Sequence, residues 1–209
     1  MNNAGIDVTL KGSGRQQPKI LAEERAIVKA AYRVLGGSSE GSTSVQDILD
    51  EAGLSTRAFY RHFRSKDELI ASMYRTASQR VAEELAVAAE SAAGPIEAFT
   101  AWVEGLLAVA YNPRRAAQAK VLSSSEALTS KGVAPARIEG ENANMAVLIG
   151  ILEYGKRSGV FPRVEPIDDA RAVSSVVTRL VSARLAGEAG PSWSEARDHT
   201  VGLFLRAFR

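Results

Sequence analysis

One segment constrains the fold more than any other part of the chain: residues 43–69, with the sequence TSVQDILDEAGLSTRAFYRHFRSKDEL. Its apolar residues recur at helical spacing on both sides of Gly53. Glycine adopts the positive φ of a tight turn without steric cost, and Ser55 is a residue type that caps helix N-termini. The segment therefore predicts two short helices joined by a sharp turn and followed by the start of a longer helix.

Positive charge is concentrated in the second of these short helices and just after it. No Asp or Glu lies between residues 52 and 66, whereas that stretch holds Arg57, Arg61, His62 and Arg64 and ends at Lys66. The whole chain has 26 Lys and Arg against 24 Asp and Glu, so the excess is local. A local excess of cations on the second helix of a helix-turn-helix indicates an anionic partner, and double-stranded DNA is the leading candidate.

Composition narrows the class of protein. Hydrophobic residues make up 45% of the 209 residues, which is enough for a substantial core. The absence of cysteine excludes disulfides, thiolate nucleophiles and cysteine-based zinc sites, and it fits a reducing cytoplasm. No apolar run reaches the roughly 18 residues of a membrane span, and the N-terminal region lacks the apolar segment of a signal peptide. We expect a soluble, cytoplasmic protein with no membrane partner, metal or cofactor.

Periodicity divides the chain into three parts. Residues 1–18 are predicted to be a disordered, mildly basic arm, either a passive tail or a segment that contacts the DNA backbone or minor groove. Residues 19–65 form the expected helix-turn-helix domain, and residues 66–209 form the expected ligand-binding and dimerisation domain. Helical spacing throughout predicts an all-α fold with about nine helices and no sheet.

Local signals predict where several helices begin and which faces they bury. Apolar stripes place Ile138, Val176 and Trp193 on inner faces, and the sequence LTSKGVAP at residues 128–135 is predicted to be a loop. The spacing of a capping box marks the starts of three helices, at Thr43 with Gln46, Ser65 with Glu68, and Ser192 with Glu195.

The second helix of the motif is expected to sort its side chains into two faces. Ala58 and Phe59 face inward, which leaves Ser55, Thr56, Arg57, Tyr60 and Arg61 facing outward. A guanidinium can hold the O6 and N7 atoms of guanine with two hydrogen bonds, so Arg57 is predicted to read a base. Thr56 is expected to touch a thymine methyl group or to donate a hydrogen bond.

Other groups are suited to phosphate oxygens. These are the side chains of Tyr60, His62 and Lys66, together with backbone N–H groups near Thr43 and Lys66, where helix dipoles add to the attraction. Structural alternatives stay open at this point: Arg61 and Arg64 simply solvated, His62 partly buried and holding the turn, and Tyr60 serving in packing only.

The stretch LSTRAFYRHFRSKDELI, residues 54–70, resembles the signature of the TetR family of bacterial transcriptional regulators. The motif is a Tyr-x-His-Phe run followed by a lysine and an acid pair, here Tyr60, His62, Phe63, Lys66, Asp67 and Glu68, and the similarity covers about residues 20–75. The resemblance implies an all-α homodimer in which three helices bind DNA and the others bind a ligand and dimerise. It also implies phosphate contacts at Thr43, Tyr60, His62 and Lys66 and base contacts at Thr56, Arg57 and Arg61.

Apolar and small residues of the last two helices suggest a dimer interface. Paired across a twofold axis, these helices would form a four-helix bundle, and the two reading helices would then match a palindromic operator. The alternative is that the stripes serve only an internal core. The predicted interface residues are Val173, Val177, Leu180, Phe204 and Phe208.

The middle helices offer apolar walls with a few polar tips, as a small-molecule pocket requires. Few charges fall on these stripes, which favours a small and largely apolar effector; ordinary core packing is the alternative. The predicted pocket residues are Phe99, Trp102, Leu106, Tyr111, Leu122, Met145, Ile149 and Tyr154.

These patterns favour a repressor that binds a palindromic operator as a dimer and is released by an effector. A DNA-binding activator and a regulator without a ligand remain open. A helical enzyme acting on a phosphorylated substrate is a remote alternative, because His62 and His199 lie far apart and no HExxH motif or strand-linked glycine-rich phosphate loop occurs.

Overall fold

The regular structure of the chain consists of α-helices. The computed structural model describes residues 16–37 and 43–209, with side chains from Ile20 onward. Ten helices and no strand occur in this part of the chain, so the all-α prediction is confirmed with one helix more than expected. The helices are α1 Gln16–Gly37, α2 Val45–Ala52, α3 Thr56–His62, α4 Lys66–Glu90, α5 Pro95–Tyr111, α6 Pro113–Leu122, α7 Ser125–Thr129, α8 Val133–Arg157, α9 Pro166–Leu185 and α10 Trp193–Phe208.

Two compact units make up the described chain, the first ending at Lys66 and the second beginning at Asp67. The predicted boundary between residues 65 and 66 falls one residue before this division. The arm expected over residues 1–18 lies outside the described residues except for its last positions, which belong to α1 because that helix begins at Gln16.

In the first unit, α1 packs against α2 and α3. Each of the three helices contributes one apolar stripe to a small core, and the buried members are Ile27, Ala30, Ala31 and Leu35 from α1, Ile48 and Leu49 from α2, and Ala58 and Phe59 from α3. The helices of the motif are too short to be stable alone, so this shared core is what holds them.

The start of α2 differs from the prediction by one residue. The N-cap is Ser44, whose Oγ accepts a hydrogen bond from the Asp47 N–H at 3.1 Å, while Asp47 Oδ2 accepts one from the Ser44 N–H at 2.7 Å. The predicted pairing of Thr43 with Gln46 is therefore wrong. Ser44 has the extended backbone of an N-cap, and the Gln46 amide donates to Asp50 instead, at 2.7 Å.

The turn between α2 and α3 follows the prediction. Gly53 has φ 64° and ψ 34° and closes α2, and the Leu54 N–H donates to the Leu49 carbonyl at 3.1 Å. Ser55 then caps α3, with its Oγ accepting from the Ala58 N–H at 3.4 Å. The backbone therefore reverses within a few residues and delivers α3 at a fixed angle to α2.

The second unit is built around α5, which packs against α8, α9 and α10. Phe99, Phe161, Phe204 and Phe208 form an aromatic cluster, with the Phe99 and Phe208 rings 5.4 Å apart. Helix α8 approaches Phe161 so closely at Gly155 that a Cβ there would lie 2.0 Å from the ring. Any larger residue at position 155 would displace this cluster.

Several local expectations for the second unit need correction. Three residues that were expected to be buried are exposed, namely Ile138, Val176 and Trp193. On the same helices, other residues close to them in the sequence face the core instead. The loop predicted over residues 128–135 is shorter, since α7 ends at Thr129 and α8 begins at Val133. The capping box of Ser192 with Glu195 is confirmed at the start of α10.

Within the described ranges, no helix combines the length and apolarity that crossing a bilayer demands.

The backbone at Gly53 gives the first prediction. Replacing Gly53 by Ala should destabilise the first unit by about 1–2 kcal/mol, because an L-residue resists the left-handed conformation even where its Cβ meets no atom. Gly37→Ala is the matched control, since position 37 also has open space but lacks a positive φ. Hydrogen exchange of the α2 amides measures the effect; equal exchange rates in the two variants would contradict the argument.

Candidate nucleic-acid interface

The outer face of α3 is fixed by what its inner face buries. Ala58 and Phe59 are buried, and the Phe59 ring packs against Phe63 at 5.8 Å between centroids. The helix therefore exposes the side chains that were expected to face outward, Ser55, Thr56, Arg57, Tyr60 and Arg61. This combination of a guanidinium, hydroxyls and a phenol on one exposed helix can donate hydrogen bonds to base edges and to phosphates.

Lys66 extends this surface towards α2. Its Nζ donates to the Thr43 carbonyl at 2.5 Å and so lies beside the N-terminus of α2, whose partial positive charge also favours anions. An ammonium group in this position has the charge and the donor chemistry that a phosphate requires.

Thr43 does not present its side chain to solvent. Only 4% of the residue is exposed, so a phosphate contact that the resemblance implies at Thr43 is at odds with the structure if its side chain is to make it. The physical reason is the shift of the cap to Ser44, which places Thr43 one residue outside the helix and into the interior. Its carbonyl accepts the hydrogen bond from Lys66.

The Asp47 carboxylate lies in the same region and stays ionised. Hydrogen bonds from the Ser44 side chain and then from the Ser44 backbone lower the pKa of Asp47, and the positive charge of Lys66 lowers it further. A negative charge is thereby kept in the first turn of α2, where the helix dipole favours it. Asp47 also limits how much net positive charge Lys66 adds to the surface.

His62 and Arg61 are both held by Glu23 of α1. One carboxylate oxygen, Oε2, lies 2.5 Å from Arg61 Nη1 and 3.4 Å from His62 Nε2. The His62 side chain is only 6% exposed, so a phosphate contact from it, as expected from the sequence, is at odds with its burial. The alternative of a buried histidine that holds the turn fits this placement.

Glu23 was missed by the sequence analysis. It belongs to α1, 38 residues before Arg61, and nothing in the local pattern pairs the two. The available signal was its position four residues before the buried Ile27, which places it near the inner stripe of α1 where an acid requires a partner.

The residues predicted to line a ligand pocket differ in their exposure to solvent. Phe99 and Trp102 are fully buried, and the Trp102 indole N–H donates to the Asn144 carbonyl at 3.0 Å. Leu122 is buried, Leu106, Met145 and Ile149 are partly buried, Tyr154 is exposed, and Tyr111 donates to the Pro191 carbonyl at 2.9 Å. Phe99 and Trp102 are therefore core residues, because neighbouring side chains pack against them on all sides.

A groove of about 430 Å³ lies elsewhere, between α9 and α10. None of the predicted pocket residues lines it; its walls are Val176, Leu180, Pro191, Glu195, Ala196, His199 and Thr200. The sequence signal that could have indicated this groove was the helical spacing of two apolar residues, Val176, which is exposed, and Leu180, which is partly exposed.

The predicted dimer residues also require a correction. Val173, Val177, Phe204 and Phe208 are buried within this chain, whereas Leu180 is partly exposed and lines the groove. The four buried residues belong to the chain's own core, because α5 packs against both helices and α8 packs against α9. Exposed apolar residues on the two helices include Val176, at 37%, and Leu203, at 41%, in addition to Ile167 and Trp193.

No cluster of three or more His, Cys, Asp or Glu side chains suited to a metal ion occurs in the part of the chain that the structure describes.

Comparison with known proteins places the helix-turn-helix segment in a family. Residues 27–73 match the sequence model of the family described as bacterial regulatory proteins, tetR family, which confirms the resemblance over this segment. A curated protein of Bacillus subtilis (strain 168), the uncharacterized HTH-type transcriptional regulator YerO, is 36% identical over 50 residues. This alignment covers 24% of the chain and spans only 17% of the curated relative's length.

Two solved structures share the fold over most of the chain. The transcriptional regulator FadR from Bacillus subtilis, in complex with stearoyl-CoA, has a TM-score of 0.68 at 15% identity and covers 88% of this chain and 99% of its own. AibR, in complex with isovaleryl coenzyme A and operator DNA, has a TM-score of 0.63 at 16% identity and covers 87% of this chain and 97% of its own. At these identities the similarity shows the fold alone.

The capping box beside Lys66 gives a prediction about ionisation. Ser44→Ala should raise the pKa of Asp47 towards its ordinary range, and by more than Lys66→Ala does, because the Ser44 side-chain bond is the largest cause of the lowering. A depressed carboxyl pKa means that the bond stabilises the fold above the unfolded-state pKa and that this contribution is lost as pH falls through the folded-state value. NMR titration of the Asp47 carboxyl carbon checks the ranking; a larger effect of Lys66→Ala would reverse it.

Proposed function

We propose that this chain, whose residues 27–73 belong to the TetR family of bacterial regulatory proteins, is a transcriptional regulator that binds double-stranded DNA through α2 and α3. The observation that carries the proposal is the exposed face of α3, on which Arg57 and its neighbours stand without an acidic residue nearby in the sequence. A helix of this size and charge fits the major groove. A protein that acts on bacterial DNA works in the cytoplasm, which is its proposed location.

The outward side chains take different roles in this proposal. Arg57 reads a guanine and Thr56 contacts a neighbouring base, because both lie near the N-terminus of α3, the part of a recognition helix that meets base edges. Ser55, Tyr60 and Lys66 contact phosphates, which position the helix but carry no sequence information. Backbone N–H groups around Thr43 and Ser44 would add to these contacts.

Dimerisation is proposed to use the outer face of α9 and α10. Val176 and Leu203 are exposed, and the groove between the helices has apolar walls at Val176, Leu180 and Ala196. A twofold pairing of this face would bury these residues and form a four-helix bundle. Two copies of α3 could then read half-sites of a palindromic operator, whose centres lie about 34–36 Å apart or more.

The proposed mode of action is repression that a small, largely apolar ligand relieves. A ligand shifts an equilibrium only if it prefers one of the two states, so the effector must favour the spacing of reading helices that does not fit the operator. Two proteins of the same fold carry acyl-CoA thioesters in their structures, and an acyl chain is a largely apolar group. Acyl-CoA thioesters of varied chain length are therefore the first effectors to test.

An activator, or a regulator without an effector, would use the same DNA-binding face. A promoter–reporter assay with and without each thioester separates these functions: repression relieved by a thioester supports the proposal, and activation or a constant output rejects that part of it. The enzyme alternative would require turnover of a phosphorylated substrate. Nothing in the described site favours it over DNA binding.

Selection of bound fragments from random DNA tests the proposed function directly. We expect enrichment of a palindromic sequence and an affinity that falls with salt, because phosphate contacts release counterions. Purified protein that retains no DNA fragment at low salt, with or without thioesters, would reject DNA-binding regulation.

Base reading gives a prediction for Arg57. Arg57→Ala should lower operator affinity by about 1–3 kcal/mol and relax the preference at one position of each half-site, because a bidentate contact to guanine is lost. Fluorescence anisotropy on operators randomised at single positions measures both effects.

Two variants serve as controls for Arg57. Lys66→Ala should weaken binding to all sequences alike, since its proposed contact is a phosphate. Arg114→Ala removes an exposed arginine of α6 and should leave DNA binding unchanged. A consensus that survives Arg57→Ala intact would refute base reading by this residue.

The dimer face gives a further prediction. Val176→Asp and Leu203→Asp should each convert the dimer into monomers, because either change places a charge in an apolar interface while leaving the chain's own core intact. Val87→Asp, at an exposed valine of α4, is the control and should remain dimeric. Light scattering gives the mass, and circular dichroism confirms the fold. Dimers in both interface variants would rule out this face.

A further inference from the structure

We propose that Glu23 is a positioning residue that neutralises Arg61 and withholds it from DNA, and thereby limits the sequence-independent attraction of α3 for the duplex. The inference rests on the proposed DNA binding and adds a residue of α1 to the machinery that sets it. Its basis is the shared contact of one Glu23 oxygen with Arg61 at 2.5 Å and with His62 at 3.4 Å.

The burial of the two partners differs in a way that favours the pair. The Glu23 side chain is 11% exposed, whereas that of Arg61 is 44% exposed. A carboxylate this far removed from water loses much of its hydration and needs a cation or donors close by. Moving Arg61 to a phosphate would break its contact with this poorly hydrated carboxylate, so the movement costs free energy that the contact with DNA must offset.

The dipole of α3 also favours the observed position of the Arg61 guanidinium. Arg61 lies in the last turn of α3, where the negative end of the helix dipole attracts a cation. Arg57 lies one turn earlier, near the N-terminal end that meets base edges. The two arginines of α3 therefore differ in function: Arg57 is directed to the DNA, and Arg61 ties the end of α3 to α1.

If Arg61 is withheld, fewer cations of α3 are available to phosphates than the sequence suggests. Each phosphate neutralised by a cation contributes about 0.9 to the slope of log affinity against log salt concentration. Arg61, paired within the protein, should add nothing to this slope. Removing the charge of Glu23 should add one such contribution per reading helix.

The test measures salt dependence on a duplex of random sequence by fluorescence anisotropy, using the full chain. Glu23→Gln should steepen the slope by about 0.9 per bound α3. The ratio of its affinity to that of the unmodified protein should therefore fall about 3.5-fold between roughly 50 and 200 mM salt. Arg61→Ala alone should leave the slope unchanged. The double variant Glu23→Gln with Arg61→Ala should return to the original slope.

Glu188→Gln is the matched control, because Glu188 also pairs with an arginine, Arg179 at 2.7 Å, in the second unit. Its slope should not change. A flatter slope in Arg61→Ala alone would show that Arg61 already contacts phosphate and would overturn the proposal, as would an unchanged slope in a folded Glu23→Gln.

Two further outcomes remain decisive. If Glu23→Gln unfolds the first unit, as circular dichroism would reveal, the result for Arg61→Ala still decides between a withheld and a DNA-bound arginine. If the unmodified protein shows no salt-dependent binding, DNA recognition itself fails and this inference fails with it. Salt-dependent binding with a flattened slope in Arg61→Ala rejects the role of Glu23 alone.

Discussion

Phe59 is fully buried, one residue away from side chains that face solvent, and its position determines the orientation of α3. The helix spans only Thr56–His62, a length at which an isolated helix is not stable in water. Burial of a phenylalanine side chain contributes about 1.5–3 kcal/mol. The Ser55 cap adds about 1 kcal/mol, and a partly exposed ion pair such as that of Arg61 adds about 0.2–1 kcal/mol. The apolar anchor therefore contributes most to holding α3, and the polar contacts refine the angle and the ends of the helix.

The second unit shows how one helix can serve an interior and a surface. On α9, Val173 and Val177 enter the core beside α5, while Val176 is exposed. Adjacent residues on an α-helix point about 100° apart, so a shift of one position exchanges a core residue for a surface residue. A substitution at Val177 would disturb folding before it disturbed any assembly, whereas a substitution at Val176 leaves the core intact.

Local signals in the sequence were sufficient for the helix-turn-helix. Gly53 and Ser55 act through their own backbone and side chain, and Ala58 and Phe59 follow from helical spacing, so each could be predicted without a partner. The cap of α2 was harder, because Thr43 and Ser44 are both good capping residues. The choice depends on Asp47, whose carboxylate reaches the Ser44 N–H at 2.7 Å.

Contacts between helices that are distant in the sequence could not be predicted from a single sequence. Phe99 and Trp102 have the spacing and chemistry of pocket walls, but neighbouring helices fill the space around them, and no local pattern encodes that packing. The helical fold class could therefore be predicted, whereas the assignment of stripes to core, pocket or interface required the structure.

The charge of the proposed DNA-binding face follows from the same distinction between local and long-range order. A count of cations along residues 52–66 treats Arg57, Arg61 and Lys66 as equal. In the folded unit they differ: Arg57 is exposed, Lys66 is fixed beside the N-terminus of α2 near Asp47, and Arg61 is paired with Glu23 of a helix far away along the chain. Phosphate attraction raises affinity for every sequence alike, while base contacts raise it for one. In the proposed complex, the acids beside Lys66 and Arg61 would weaken the general attraction and leave base contacts to Arg57 and Thr56, which would shift the balance of α3 towards sequence reading.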